Sequence, residues 1–389
     1  MTTEEKINIP KPQVSFGMKW RDLNKKSNVI NFKNHKFLNE KLKSALRALE
    51  VPANFDWSER IGINNVPLIT AVRDQGSCGS CYAFAIVGML QDRISVQTEA
   101  KLKLELSTQD MINCGNAFVK QYLDPKTNQV ADLIKQGILL DSESFVLQGC
   151  NGGLLAAAVN YLVLQGVPIE SEEPYIARQQ NCSGLSTLRY RGIRGEDLIP
   201  AIENGFPSQQ IIIPQNQLEE NEKNIQMAIY TGGPVVAGLN IYTKFLYYPQ
   251  TGDIYENTPT FNLNGYTFQN NFEGSHAVEI VGWGENTSGT KYWICKNSWG
   301  TNWGNGGYFK IKRGTNESNI EVDVVSVIID PNQLTLEGNI VTSEPPSSGL
   351  SGGMIALIVI LSVLVVIAIA LGVYFGIKAK EPVLNQSVY

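Results

Sequence analysis

Residues Met354 to Ile377 (MIALIVILSVLVVIAIALGVYFGI) form 24 consecutive positions without a charge, Pro, Asn or Gln. At about 1.5 Å rise per residue, a helix of this length crosses a hydrocarbon core about 30 Å thick. A helix buried in a globular core is rarely apolar all round at this length, as this one is. The segment therefore reads as one transmembrane helix, 354–377, and everything before it has to fold as a separate body. Residues 336–353 include TSEPPSSGLSGG and read as a flexible stalk. The polar tail 378–389 follows the apolar run, which argues against a cleaved lipid-anchor signal. Lys378 and Lys380 place that tail in the cytosol by the positive-inside rule, and the bulk of the chain outside or in a lumen.

The rest of the 389-residue chain has the composition of a folded body, with 43% apolar and 18% charged residues overall. A net charge of −5 gives no electrostatic footprint for nucleic acid. Two histidines exclude a metal or acid/base site that needs several of them. The first 50 residues form a short N-terminal region with no apolar secretory core. That reading stands against the lumenal placement implied by the tail. Within the region, Phe37, Leu38, Leu42, Ala45, Leu46 and Leu49 share one helical face, so an amphipathic helix is expected over 36–50.

The chemistry centres on two separated segments. Around Cys81 the chain reads Asp74-Gln-Gly-Ser-Cys-Gly-Ser-Cys81-Tyr-Ala-Phe84, and a Pro-free apolar run continues to Ile94. Cys81 should therefore open a helix, whose N-terminal dipole favours the thiolate. Taken alone, Cys78-x-x-Cys81 also fits a thioredoxin-like redox pair. Near residue 280, Ser275-His276 begins a strand, ENTSGT (285–290) makes a turn, and Lys291–Asn297 returns. His276 and Asn297 are nearly equidistant from that turn, so they should face each other across the hairpin. An imidazole held by an amide keeps its second nitrogen free to take a proton from a thiol. A lone histidine is usually structural; the paired Asn and the activated Cys outweigh that alternative here.

Taken with Gly149-Cys-Asn-Gly-Gly153 and Lys296-Asn-Ser-Trp-Gly300, these segments resemble the papain/cathepsin family of cysteine proteases, in the family's order and roughly its spacing. The resemblance covers about Val51 to Asp330 and opens at Val51-Pro-Ala-Asn-Phe-Asp-Trp57, which is similar to mature N-termini in the family. It implies an α+β papain-like fold over 51–335, with a helical left lobe, a β-barrel-like right lobe and a cleft between them. It also implies Cys81 as nucleophile, His276 as general base, Asn297 as its orienter and Trp299 as the shield of that hydrogen bond. Gln75 and the Cys81 N–H would stabilise the oxyanion, and a lost donor typically costs about 10²–10³ in kcat. In papain itself the His-paired thiol has a pKa of about 3–4, a value belonging to the family rather than to this sequence.

By the same resemblance, Cys78–Cys150 and Cys114–Cys182 are disulfides, Cys81 is free, and no cofactor or metal is needed. Cys295, mid-strand, reads as a buried inert thiol. Two disulfides imply an oxidising compartment such as a lysosome-like vacuole or the cell surface. The acceptor patterns Asn286-Thr-Ser288 and Asn316-Glu-Ser318 point the same way. Gly152 and Gly153 would pair with an extended peptide substrate. Leu154, Leu155, Gly238, Gly274 and Ala277 would line the main specificity pocket. The run Asn319–Val325, similar to the last strand of cathepsin-B-like members, would put Asp323 at the pocket floor, where it would match Arg; the alternative puts Asp323 on the solvent face. Expected partners are peptide or protein substrates, the membrane, and cystatin-like or propeptide-like inhibitors, but not nucleic acid. Departures from the family are a long loop at about 116–148, which has no His, long stretches before Pro234 and before His276, and the shortness of the region ahead of Val51. A short inhibitory propeptide removed near Pro52 is expected. The competing reading is a catalytically silent, membrane-anchored binding protein on the same scaffold.

Overall fold

The computed structural model describes residues 11–20, 50–122, 128–140, 146–182, 188–199, 210–331 and 339–340. The expected transmembrane helix lies outside these residues, as does the amphipathic helix expected over 36–50 apart from Glu50. Among the described residues, no helix is long and apolar enough to cross a membrane.

Helix α1, Cys81–Gln97, begins at the expected residue and is buried along almost its whole length. It is buried all round because it lies between two bodies. On one side are α2 (Thr108–Tyr122) and α4 (Leu155–Leu164), and on the other the long strand carrying His276. Its two charged residues are buried only because both are answered. Asp92 pairs with Lys296 at 2.7 Å. Arg93 donates to the carbonyls of Ala228, Gly233, Pro234 and Val327. Two of those carbonyls close the C-terminal end of α5, Gln215–Gly232, where a cation complements both the orphan carbonyls and the dipole.

Among the described residues, the right lobe is a sheet of eight strands. Their order is β5 (Arg194–Asp197), β13 (Val324–Ile328), β6 (Val235–Tyr242), β10 (Phe272–Glu285), β11 (Lys291–Lys296), β12 (Tyr308–Lys312) and β7 (Ile254–Tyr255), with β2 (Phe55–Asp56) added to β10. Among the described residues the pairing ends at β5 and β7, so the barrel-like sheet expected is not closed by hydrogen bonds between those two strands. A hairpin of β8 (Thr260–Leu263) and β9 (Tyr266–Gln269) fills the long approach to His276.

The segment expected as a loop at 116–148 is largely structured. It continues α2 to Tyr122 and adds α3, Asn128–Lys135. Leu139 and Leu140 are buried in the left-lobe core, and Asn160 bonds both backbone groups of Leu140. Its apolar residues therefore extend the lobe. Cys78–Cys150 and Cys114–Cys182 are both bonded, while Cys81 and Cys295 are free and buried. Asn339–Ile340 (β14) pairs with Leu188–Arg189 (β4), inside the stretch read as stalk.

Candidate active site

Cys81 is the first residue of α1, with its thiol fully buried where the left lobe meets β10. His276 lies on β10, opposite Leu239 of β6. The hairpin puts Glu279 opposite Lys296, and a bulge between Ile280 and Gly282 shifts the register. Asn297, one residue past β11, therefore reaches His276 from a diagonal position rather than directly across. The contact is made all the same, with His276 Nε2 and Asn297 Oδ1 2.7 Å apart. Asn297 Oδ1 also accepts the Ser298 N–H, so it acts as the acceptor and Nε2 carries the proton. A neutral imidazole in this tautomer has its lone pair on Nδ1, which has no hydrogen-bond partner. Trp299 lies over the imidazole, ring centroids 4.6 Å apart.

Gln75 is buried and locked. Its Oε1 accepts from Ser298 Oγ at 2.7 Å, and its backbone carbonyl accepts from Tyr175 at 2.6 Å. That leaves the Gln75 amide N–H₂ directed at the carbonyls of Ser15 and Cys78. Ser298 and Tyr175 were absent from the expected set. Ser298 sits inside the Asn297–Trp299 run, but nothing in the sequence shows its hydroxyl turned towards Gln75.

A short inhibitory propeptide ahead of Pro52 is expected from the sequence, but not which of its residues cover the site; residues 11–20 lie across it. The Gly17 N–H points at Cys81 Sγ, 3.3 Å away, and the Gly17 carbonyl takes the Gly153 N–H. Strand β1 (Met18–Lys19) then pairs in parallel with β3 (Gly153–Leu154). Phe16 packs edge-on to both His276 and Trp299. Trp20 Nε1 donates to Ser275 Oγ at 2.8 Å, and Lys11 pairs with Glu273.

The glycines make this approach possible. A Cβ at Gly152 would stand 2.3 Å from the Gly17 carbonyl oxygen, and one at Gly238 would stand 2.3 Å from Met18 Cε. A Cβ at Gly274 would meet the Phe16 ring at 2.9 Å. Gly152, Gly153, Leu154, Gly238 and Gly274 thus all adjoin the covering segment. Leu155 and Ala277 are buried beside them.

Asp323 is 1% exposed, which removes the solvent-face alternative. It precedes β13 rather than lying in it, because Ser318 and Asn319 turn the chain with φ of 50° and 65°. Its carbonyl accepts the Gly238 N–H, so its backbone borders the pocket position. Of the two glycosylation patterns, Asn286 is exposed. Asn316 is buried and bonded to Ile211, so it cannot carry a glycan in this fold.

The electrostatics are those of a covered site. Burial pushes the Cys81 thiol up to about 11, although backbone N–H groups including Gly17 oppose the shift. This reverses the low value expected from the family. Burial also lowers His276 to about 4, against the opposing Asn297 bond. The pair is held here as neutral thiol and neutral imidazole.

The model of the papain family cysteine proteases matches residues 51–328, well over half the chain. A cysteine protease of Blomia tropicalis is 29% identical over 271 residues, covering 69% of this chain and 64% of that relative, just under two thirds of its length. A structure described for antibody cross-reactivity between the mite allergens Blo t 1 and Der p 1 shares 28% identity over 72% of each chain, with a TM-score of 0.50. Procathepsin B S9 from Trypanosoma congolense, at 24% identity over 75% of this chain and 80% of its own with a TM-score of 0.50, shares the fold.

Proposed function

The chain belongs to the papain family of cysteine proteases, and from that premise we propose that it is a membrane-anchored endopeptidase, drawn here in a latent state. The observation that carries the reading is the His276–Asn297 bond, which leaves Nδ1 free on the strand whose next residue, Ala277, turns its backbone to the Cys81 thiol at a helix N-terminus. Once uncovered, Cys81 passes its proton to His276 and its sulfur attacks the scissile carbonyl. The oxyanion forms against the Gln75 amide and the Cys81 N–H, donors that act mainly on the tetrahedral state. His276 then protonates the leaving amine, and water hydrolyses the Cys81 thioester. A silent binding protein has no need of a Gln75 amide locked by Ser298, which favours the enzyme.

Residues 11–20 act as the inhibitory segment. They take one Gln75 N–H through the Ser15 carbonyl, cap the Cys81 sulfur and use the Gly153 edge that an extended substrate needs. Cutting near Pro52 would release them. Asp323, beside Gly238, makes P2 Arg acceptable along with apolar side chains; if Asp323→Ala leaves the Arg-to-Phe preference unchanged, that assignment is lost. Both disulfides and exposed Asn286 support a lumenal catalytic domain with Met354–Ile377 as anchor. The test uses sealed vesicles, cytosolic face outward, and a membrane-impermeant cysteine-protease affinity label, with Cys81→Ala as control. Labelling only after detergent supports this topology; labelling of intact vesicles refutes it.

A further inference from the structure

Beyond the catalytic pair, the face of α1 that begins with Cys81 continues through Phe84, Gly88 and Gln91 and packs on β10. Between them lies a cavity of about 30 Å³, also lined by Glu279, Lys296 and Asn297. A water needs roughly 10–15 Å³ of such space and two or more polar partners. The Gln91 amide is satisfied by Thr70 and Leu106, and Lys296 by Asp92, Thr70 and Glu279. Two lining atoms are buried without a partner, the acceptor Glu279 Oε1 and the donor Asn297 Nδ2. Their residues are only 2% and 3% exposed. Buried polar atoms are rarely left so, and an acceptor and a donor on one small cavity define a bridging site.

We propose that Glu279 is a positioning residue for the catalytic pair: a water in this cavity links its Oε1 to the Asn297 amide, which fixes the His276 imidazole. This rests on the peptidase reading. The water would take the Asn297 Nδ2–H and donate to Glu279, polarising the amide so that Oδ1 becomes a better acceptor for His276 Nε2–H. The Glu279 carboxyl lies among Asp92 and Lys296, with Arg93 and Tyr308 within electrostatic reach, and burial raises its pKa. Protonated or not, Oε1 remains an acceptor. Glu279→Gln therefore keeps the bridge, while Glu279→Leu removes it. Ala85→Val, on the α1 wall, narrows the cavity and leaves the Glu279 carboxyl in the chain.

His276 has one competing histidine, His35, so the imidazole is directly observable in a full-length, isotope-labelled chain carrying His35→Gln. Glu279→Leu and Ala85→Val should each lower the His276 titration midpoint by about half a pH unit. Each should also lower kcat about tenfold, with KM within about twofold of the parent. Glu279→Gln should restore at least half of both effects. A Gln variant equal to the Leu variant would mean that only charge or folding is involved, and would overturn the proposal; so would unchanged midpoints in both cavity variants. Should the parent hydrolyse no peptide, the peptidase reading fails, while the midpoints still decide whether Glu279 reaches His276.

Discussion

Gly17 offers a single-atom test of the covered state. Its ideal Cβ would stand 1.6 Å from the Gly79 carbonyl oxygen and 2.1 Å from the Gly79 carbonyl carbon. Both are backbone atoms beside the Cys78–Cys150 disulfide, so neither can yield as a flexible side chain would. Gly17→Ala must therefore lift the segment. That breaks the Gly17 contact with Cys81, the Gly17–Gly153 bond and the pairing of Met18–Lys19 with Gly153–Leu154. With the thiol held at about 11 rather than the ordinary 9.0, its thiolate fraction at pH 7 is suppressed about a hundredfold, equivalent to about 2.7 kcal/mol. Alkylation follows the thiolate, so the full-length Gly17→Ala chain should react with iodoacetamide at least about a hundredfold faster than the parent. Pairing with the exposed His276 would add to that. Cys81→Ala supplies the background from Cys295, whose buried thiol is also pushed up. A folded Gly17→Ala chain alkylated within about threefold of the parent rate would refute the idea that this segment suppresses the nucleophile.

Acid should open the covered form. His276 is lowered to about 4 when buried and has an ordinary value of 6.5, so the open state binds the proton more readily. Covering is then fully favoured above pH 6.5 and loses about 3 kcal/mol as pH falls to about 4, which alkylation rates across that range should follow. Gln75→Ala should cost about 10²–10³ in kcat with little change in KM, measured on a peptide substrate after activation. Lys296→Met leaves Asp92 and Glu279 buried without their shared cation and should cost about 3–5 kcal/mol in chemical denaturation.

Much of the site is legible in the sequence because its signals are local. The apolar run after Cys81 has no Pro and marks the start of α1, and two strands around ENTSGT bring His276 to Asn297. The diagonal register is not legible, since the bulge at Ile280–Gly282 leaves no mark of its own. Residues 11–20 are hidden for a related reason. An extended segment that pairs through its backbone needs no hydrophobic period, and its glycine requirement comes from Gly79, 62 residues further along the chain. The thiol pKa depends on that same covering, so the family value could not describe it. Glu279 lies mid-strand, where alternation alone cannot show that Lys296 answers its charge while also pairing with Asp92.

The central claim, hydrolysis through a thioester on Cys81, is tested most directly by trapping. An activated chain mixed with a slowly deacylating peptide ester should gain the mass of the acyl group on the Cys81 peptide, and Cys81→Ala should gain none. His276→Ala should trap little and turn over nothing. Substantial peptide turnover by Cys81→Ala, or an acyl group found on any other residue, would contradict the account.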